Sequence, residues 1–128
     1  MSYHFSKTLD VPFDEAIRKA TAAIEANGLG VLTTIDVKAT LKKKIDADIA
    51  PYTILGACHP AHARKAIEAE PHIGLMLPCN VIVRGLEHGK TEVSAIDPIA
   101  SMAAISNPSL GEVAMTVQAI MKKIIDDL

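Results

Sequence analysis

The chain has 128 residues, of which 49% are hydrophobic, and its formal net charge at neutral pH is −2. This length and apolar content predict a single domain over residues 1–128. Nucleic acid is not an expected partner, because Lys and Arg do not outnumber the acidic residues and aromatic side chains, which stack on bases, make up only 3% of the chain.

The expected location is the cytoplasm. No apolar stretch approaches the roughly 20 residues of a membrane span, and the first ten residues, MSYHFSKTLD, do not resemble a secretion signal. The membrane is therefore not an expected partner. Two cysteines without signs of export predict reduced thiols rather than a disulfide framework.

The first half of the chain alternates strands with helices. In order, the residues predict a strand at YHFSKTLD, a helix from Pro12 to Asn27-Gly28, a strand at LGVLTTID, a short helix at VKATLKKKI and a strand at YTILGAC. Alternating polar and apolar residues favour the first strand, and β-branched residues favour the second. In the short helix, Val37, Leu41 and Ile45 share one apolar stripe.

The second half predicts a helix, a hairpin and two further helices. The helix runs from Pro60 to Glu70, the hairpin strands are NVIVRGL and KTEVSAI, the short helix is IASMAAIS, and the long helix begins near Ser109. The turn of the hairpin is Glu87-His88-Gly89, and Asp97-Pro98 caps the short helix. Ser109 and Glu112 have the spacing of a capping box, and the apolar residues that follow lie on one helix face, predicted to be core or a dimer seam.

The order of the elements predicts the fold class. Strands and helices mix without a 20-to-50-residue repeat or a low-complexity linker. We expect an α+β protein with a mainly antiparallel sheet and helices packed on one face of it.

A longer run of residues resembles a known family. The run ILGACHPAHARKAIEAEPHIGLMLPCNVIV, followed by a glycine-containing hairpin, the tripeptide IDP and an amphipathic helix, is similar to the bacterial and archaeal family called domain of unknown function 302 (DUF302). The resemblance covers nearly the whole chain and includes GLGVLTTIDVKATL. It implies a TATA-binding-protein-like fold and a homodimer, but no established activity. The family pattern has Asn between the cysteine and the proline, where this chain has His59, so the resemblance assigns no role to that position.

The implied fold bears on the two cysteines. If the third and fourth strands run antiparallel, as a meander in that fold does, the end of one and the start of the other share an edge of the sheet. Cys58 and Cys79 are then neighbours. Cys58 also precedes a helix N-terminus, whose free N–H groups and dipole stabilise a thiolate. Together with His59 and His62, the cysteines form the candidate ligand-binding site.

Several kinds of chemistry are open to these four residues. Two thiolates and an imidazole suit a soft metal ion such as Cu(I) or Zn(II), although the cysteines lack paired C-x-x-C spacing. Cysteine catalysis would use His62 as base, first-turn N–H groups as oxyanion donors and Asp97 as a carboxylate at the same edge. Under the structural interpretation, Cys58 is a small buried apolar side chain and His59 caps a helix that Pro60 begins.

The other histidines are predicted to lie outside the site. His72 is expected in a loop, His88 in the hairpin turn, and His4 on the solvent side of the first strand.

Three functions remain compatible with the sequence. The first hypothesis is a small homodimer that binds a ligand or a soft metal ion around Cys58 and Cys79. The alternative is a thiol redox protein or enzyme that uses Cys58 as nucleophile with Cys79 as resolving group. The third is a structural or partner-binding module without a small-molecule site. The sequence predicts no cofactor, and it leaves open whether the protein is an enzyme.

Overall fold

A computed structural model describes residues 2–128 of the chain. Five strands form one sheet: β1 (His4–Leu9), β2 (Gly30–Asp36), β3 (Tyr52–Cys58), β4 (Cys79–Gly85) and β5 (Thr91–Ile96). Their order across the sheet is β1-β5-β4-β3-β2, and all four neighbouring pairs are antiparallel. The predicted antiparallel sheet is therefore confirmed.

Five α-helices connect or follow the strands: α1 (Phe13–Ala26), α2 (Val37–Ile45), α3 (Pro60–Ala69), α4 (Pro98–Ser101) and α5 (Gly111–Asp126). Helix α1 begins after Pro12 and has Asp14 and Glu15 in its first turn. Asn27 is its C-cap, and the next residue, Gly28, has a φ of 85°. Acidic residues at the start and a left-handed glycine after the end are favourable for a helix. None of the helices described is both long and apolar enough to span a membrane.

The main core lies between α1, α5 and one face of the sheet. Ala20 and Ile24 of α1 and Met121 of α5 are fully buried, and they pack with Val81 and Val93 of the central strands. Alternate residues of a strand point to the same face, so the apolar residues of β3, β4 and β5 meet the helices together. This packing confirms an α+β fold with helices on one face.

A second, smaller core holds α3 in place. Ala66 of α3, Ile73 and Leu110 are buried together, and Met102 and Ile105 pack against them. Ile73 belongs to a 3-10 helix (Pro71–Met76) that the sequence patterns did not predict. This cluster fixes α3 beside the N-terminal end of α5.

Two predicted helix boundaries are wrong. Helix α4 contains only residues 99–101 of the expected IASMAAIS helix, and the chain leaves it so that Met102 and Ile105 pack against the second core. The capping box is also absent, because a 3-10 turn (Pro108–Leu110) leads directly into α5 and Leu110 occupies the N-cap position without a side-chain cap.

The short helix α2 forms where predicted but buries none of its residues. Its expected apolar stripe is not a core face, since Ile45 is 69% exposed. The helix is instead bounded by a cap, in which the Asp36 side chain accepts a hydrogen bond from the backbone N–H of Ala39 at 2.9 Å.

Candidate functional site

The two cysteines lie at the same end of two neighbouring strands, where β3 ends and β4 begins, as predicted. In the β3–β4 pair, Ala57 is directly opposite Cys79. Cys58 is therefore one residue further along the ladder, at the point where β3 ends and α3 begins. Both cysteines are free thiols.

The environments of the two thiols differ. Cys58 is partly exposed, whereas Cys79 is 7% exposed and belongs to the main core. Burial and, to a smaller extent, the nearby Cys58 raise the pKa of Cys79 to about 11. Apolar surroundings favour the neutral form of a buried thiol. Cys79 is therefore present almost entirely as the protonated thiol at neutral pH.

The two histidines of the site lie against each other, with tilted rings, at the start of α3. Nδ1 of His59 accepts a hydrogen bond from the backbone N–H of His62 at 3.4 Å, which makes His59 the N-cap as predicted. The ring centroids are 4.2 Å apart, with 39° between the ring planes. Burial, His59 and Lys65 all lower the pKa of His62. The His62 imidazole is therefore mostly uncharged at neutral pH.

All four predicted residues contribute to the wall of one cavity of about 320 Å³. The cavity lies between α3, the segment before β4 and the first turns of α5. We call it the apolar cavity, because apart from the two histidines its lining is almost entirely aliphatic or sulfur-containing: Leu29, Leu32, Ala57, Cys58, Ala63, Ala66, Ile67, Gly74, Leu77, Pro78, Cys79, Met102, Val113, Ala114 and Val117. The cysteines and histidines thus occupy one part of a larger hydrophobic wall.

The sequence patterns did not predict most of this wall. Val113, Ala114 and Val117 of α5 were expected only as core or dimer residues, yet they also face the cavity. One local pattern does point to it: Ala63 and Ala66 are small residues three positions apart on α3, and small side chains there leave space between α3 and α5.

Other residues considered for the site lie elsewhere. The carboxylate of Asp97 accepts hydrogen bonds from the backbone N–H of Ile99 and from Nε2 of Gln118, at 3.0 and 3.1 Å respectively, and it does not line the apolar cavity. His72 and His88 are both 87% exposed, and His4 is exposed on β1. Asp97 does follow β5 at the end of the sheet where β4 begins, as expected, but its carboxylate is bound to other partners. The positions predicted for His4 and His88 are confirmed, whereas His72, expected in a loop, lies in the 3-10 helix Pro71–Met76.

The arrangement of the side chains does not favour the metal-binding hypothesis. Within residues 2–128, no three side chains among His, Cys, Asp and Glu come together in a group that would hold a metal ion. A structural zinc site uses four such ligands and a catalytic one three.

A five-stranded antiparallel sheet with helices packed on one face makes this chain a small α+β protein. The family model "Domain of unknown function DUF302" matches residues 5–128, and the chain belongs to that family. Its fold is similar to a solved structure described as "Crystal structure of uncharacterized conserved protein DUF302 from Bacillus stearothermophilus", with a TM-score of 0.89 and 24% sequence identity. The match covers 99% of this chain and 98% of the other. No curated protein matches the chain. The likeness to TATA-binding protein stays a prediction.

Proposed function

We propose that the protein binds a small, mainly apolar molecule in the apolar cavity. The observation that supports this function is a cavity of about 320 Å³ with a nearly continuous hydrophobic wall and two histidines among its lining residues. Pockets that bind small ligands have volumes of roughly 300–1,000 Å³, apolar walls and a few polar groups that orient the ligand. This cavity is at the small end of that range.

The polar groups indicate the chemistry of the ligand. A neutral imidazole offers one hydrogen-bond donor or acceptor at each ring nitrogen, and His62 is mostly neutral because burial and its neighbours lower its pKa. Burying a charged ligand group among aliphatic side chains would be costly without a partner of opposite charge. We therefore propose a ligand with an apolar body and one uncharged hydrogen-bonding group directed at His59 or His62.

Indole provides a suitable probe, because it is apolar and has one N–H donor. We expect saturable chemical-shift changes in an NMR titration, centred on Ala63, Ala66 and Val117. The variant Ala63→Phe fills the cavity and should abolish them. Its control is Ala61→Phe, which adds the same side chain to an exposed position on the same helix that does not line the cavity. Equal binding by both variants would refute a ligand site in this cavity.

A thiol redox function is the second candidate, supported by two free cysteines one ladder position apart. The raised pKa of Cys79 disfavours it, since thiolates are the species that attack and resolve disulfides. Mild oxidation followed by mass spectrometry tests it. An intramolecular disulfide between Cys58 and Cys79 in the wild type would support the redox function, and two thiols that stay reduced would count against it.

We further propose that the protein is a cytoplasmic homodimer. Reduced thiols are typical of cytosolic proteins, and the chain has two. The dimer is supported by the exposed apolar side chains along the unpaired edge of β2, where Leu32 is 66% exposed and Ile35 is 47% exposed. Edge strands with unpaired backbone groups readily pair with a second copy.

A further inference from the structure

We propose that the face of the sheet opposite the apolar cavity carries a second binding site, for a planar, uncharged molecule with adjacent hydrogen-bond donors and acceptors. A groove of about 470 Å³ lies on this face, and its lining includes Tyr3, Tyr52, Asn80, Arg84 and Glu92. We call it the sheet groove. It shares no lining residue with the apolar cavity, so the proposal is independent of the function proposed above.

The register of the sheet places these side chains together. Arg84 of β4 is directly opposite Tyr52 of β3 and also opposite Glu92 of β5. These three residues therefore form a row across neighbouring strands on one face. Two residues along β4, Ile82 lines the groove beside this row and supplies apolar surface at its floor.

A chain of hydrogen bonds fixes the polar groups of the groove. Across β1 and β5, Nδ1 of His4 is 2.6 Å from Oγ of Ser6, which is 2.7 Å from Oγ of Ser94. Ser94 then donates to Oε1 of Glu92 at 3.3 Å, and Nε of Arg84 donates to the same oxygen at 2.8 Å. Side chains held by several partners lose little freedom when a ligand binds.

The same geometry leaves complementary groups available. Within residues 2–128, the terminal nitrogens of Arg84 donate no hydrogen bond and Oε2 of Glu92 accepts none. A ligand can therefore accept from Arg84 and donate to Glu92 at neighbouring positions. The two charges cancel, so the pair gives an ionic ligand no net attraction to offset the cost of removing it from water. This balance favours an uncharged ligand.

The aromatic residues indicate a planar ligand. The chain has two tyrosines and no tryptophan, and both tyrosines line the sheet groove. Tyr3 is 63% exposed and is held edge-on against His4, with 4.9 Å between ring centroids. Exposed aromatic faces beside hydrogen-bonding groups stack well on planar rings. A small heteroaromatic base has the required shape and the required alternation of donors and acceptors.

Cytosine is the probe for the experiment, because its amino group is adjacent to ring and carbonyl acceptors. We expect a saturable shift of both tyrosine ring resonances and of the Arg84 side-chain N–H in an NMR titration. Arg84→Gln should weaken binding at least about tenfold, as expected for losing a hydrogen bond from a charged group. The control is Arg64→Gln, which removes an Arg–Glu bond with the same 2.8 Å Nε–Oε1 distance on the surface of α3.

Benzoate gives the second arm, since it is planar and of similar size but anionic. We expect it to bind more weakly than cytosine. The proposal is overturned if cytosine causes no saturable shift up to about 10 mM, if benzoate binds as tightly, or if both arginine variants bind alike. Should Arg84→Gln not fold, Tyr52→Leu provides the same comparison, because it keeps an apolar side chain and removes the aromatic ring. Tyrosine shifts that follow protein concentration without any probe would also overturn it, in favour of a second copy of the chain on this face.

Discussion

Gly56 lies in β3 at a position with no room for a side chain. A Cβ atom there would clash with Oγ1 of Thr33 and would lie 2.7 Å from Cγ of Pro78. The glycine thus lets β2 and the start of β4 approach β3 at the edge that carries the candidate site. A Cβ atom added to Gly30, in the neighbouring strand, would have no atom within 4 Å.

The contrast between these glycines gives a prediction. Gly56→Ala should lower the free energy of unfolding by about 1–3 kcal/mol, the usual cost of overpacking a well-packed position. Gly30→Ala should change it by less than about 0.5 kcal/mol. Urea denaturation of both variants measures the difference. Similar values for the two would mean that β2 can move away from Gly56 without cost.

Cys79 predicts how stability depends on alkaline pH. Its folded pKa, about 11, is above the ordinary value of 9.0 because the thiol is buried. The folded protein therefore holds this proton more tightly than the unfolded chain does. The resulting stability is fully present below pH 9 and is lost as the pH rises from 9 through 11.

We expect the complete loss to be on the order of 3 kcal/mol, because the pKa is raised from 9.0 to about 11 and each pKa unit corresponds to about 1.4 kcal/mol. Cys79→Ala should lack this component, so the stability difference between wild type and variant should shrink between pH 8 and pH 10.5 in urea denaturation. Cys58→Ala is the control, since the main cause of the shift is the burial of Cys79 itself. A constant difference between wild type and Cys79→Ala over that range would contradict the raised pKa.

Among the elements, the end of α3 and the turn before α5 are joined by the hydrogen bonds of one side chain, that of Asn107. Its Oδ1 accepts a hydrogen bond from the backbone N–H of Ser109 at 3.0 Å, and its Nδ2 donates to the carbonyl oxygen of Ala69 at 2.8 Å. A further bond from Nδ2 reaches Glu70. Asn107 thus caps the turn before α5 and fastens it to the end of α3.

Removing these bonds should be measurable. Asn107→Ala is expected to lower the free energy of unfolding by about 1–2 kcal/mol, the usual cost of losing a cap and a buried hydrogen bond. Ser109→Ala should be nearly neutral, because the hydroxyl of Ser109 caps nothing in the structure. Thermal unfolding distinguishes the two variants. A larger effect at Ser109 would restore the capping box that the sequence predicts.

This segment also shows why the sequence predicted some elements and not others. Strands and helices with a regular apolar period, such as β1 and α1, formed where expected because local patterning and core packing agree. The end of α4 and the start of α5 depend on contacts with α3, and the side chain that caps the turn before α5 is that of Asn107, not Ser109. Such choices are decided by residues distant in the chain, so local spacing predicts them poorly.

The candidate site was also predicted only in part: the positions of its cysteines were, and its cavity was not. An antiparallel pairing of β3 and β4 is enough to place Cys58 and Cys79 at one edge, and that pairing follows from the fold. The apolar cavity does not follow from it, because its wall also needs Val113, Ala114 and Val117 of α5, more than 50 positions after Cys58 in the chain. The sheet groove was missed for the same reason: His4 is linked to Ser94 through Ser6, and Ser6 meets Ser94 only through the register of β1 and β5.

At the scale of the whole molecule, the sheet has two unpaired edges. The helices cover one face, and the edge strands β1 and β2 leave backbone groups without a strand partner. Protein sheets commonly protect such edges with charged side chains. On β1 Lys7 lies at the edge, whereas β2 has no charged residue before Asp36 and exposes Leu32 and Ile35 instead. The β2 edge is therefore the better surface for a second copy.

The proposed dimer can be tested by placing a charge on this edge. Ile35→Lys puts an ammonium group where two copies of β2 would meet, and charged edge residues oppose strand pairing. We expect the wild type to sediment as a dimer at micromolar concentration and Ile35→Lys to sediment as a monomer with an unchanged circular dichroism spectrum. The control is Leu75→Lys, at a position that is 84% exposed and outside the sheet; it should remain dimeric. If Ile35→Lys also remains dimeric, the copies associate elsewhere, and the uncovered face that holds the sheet groove becomes the next surface to test.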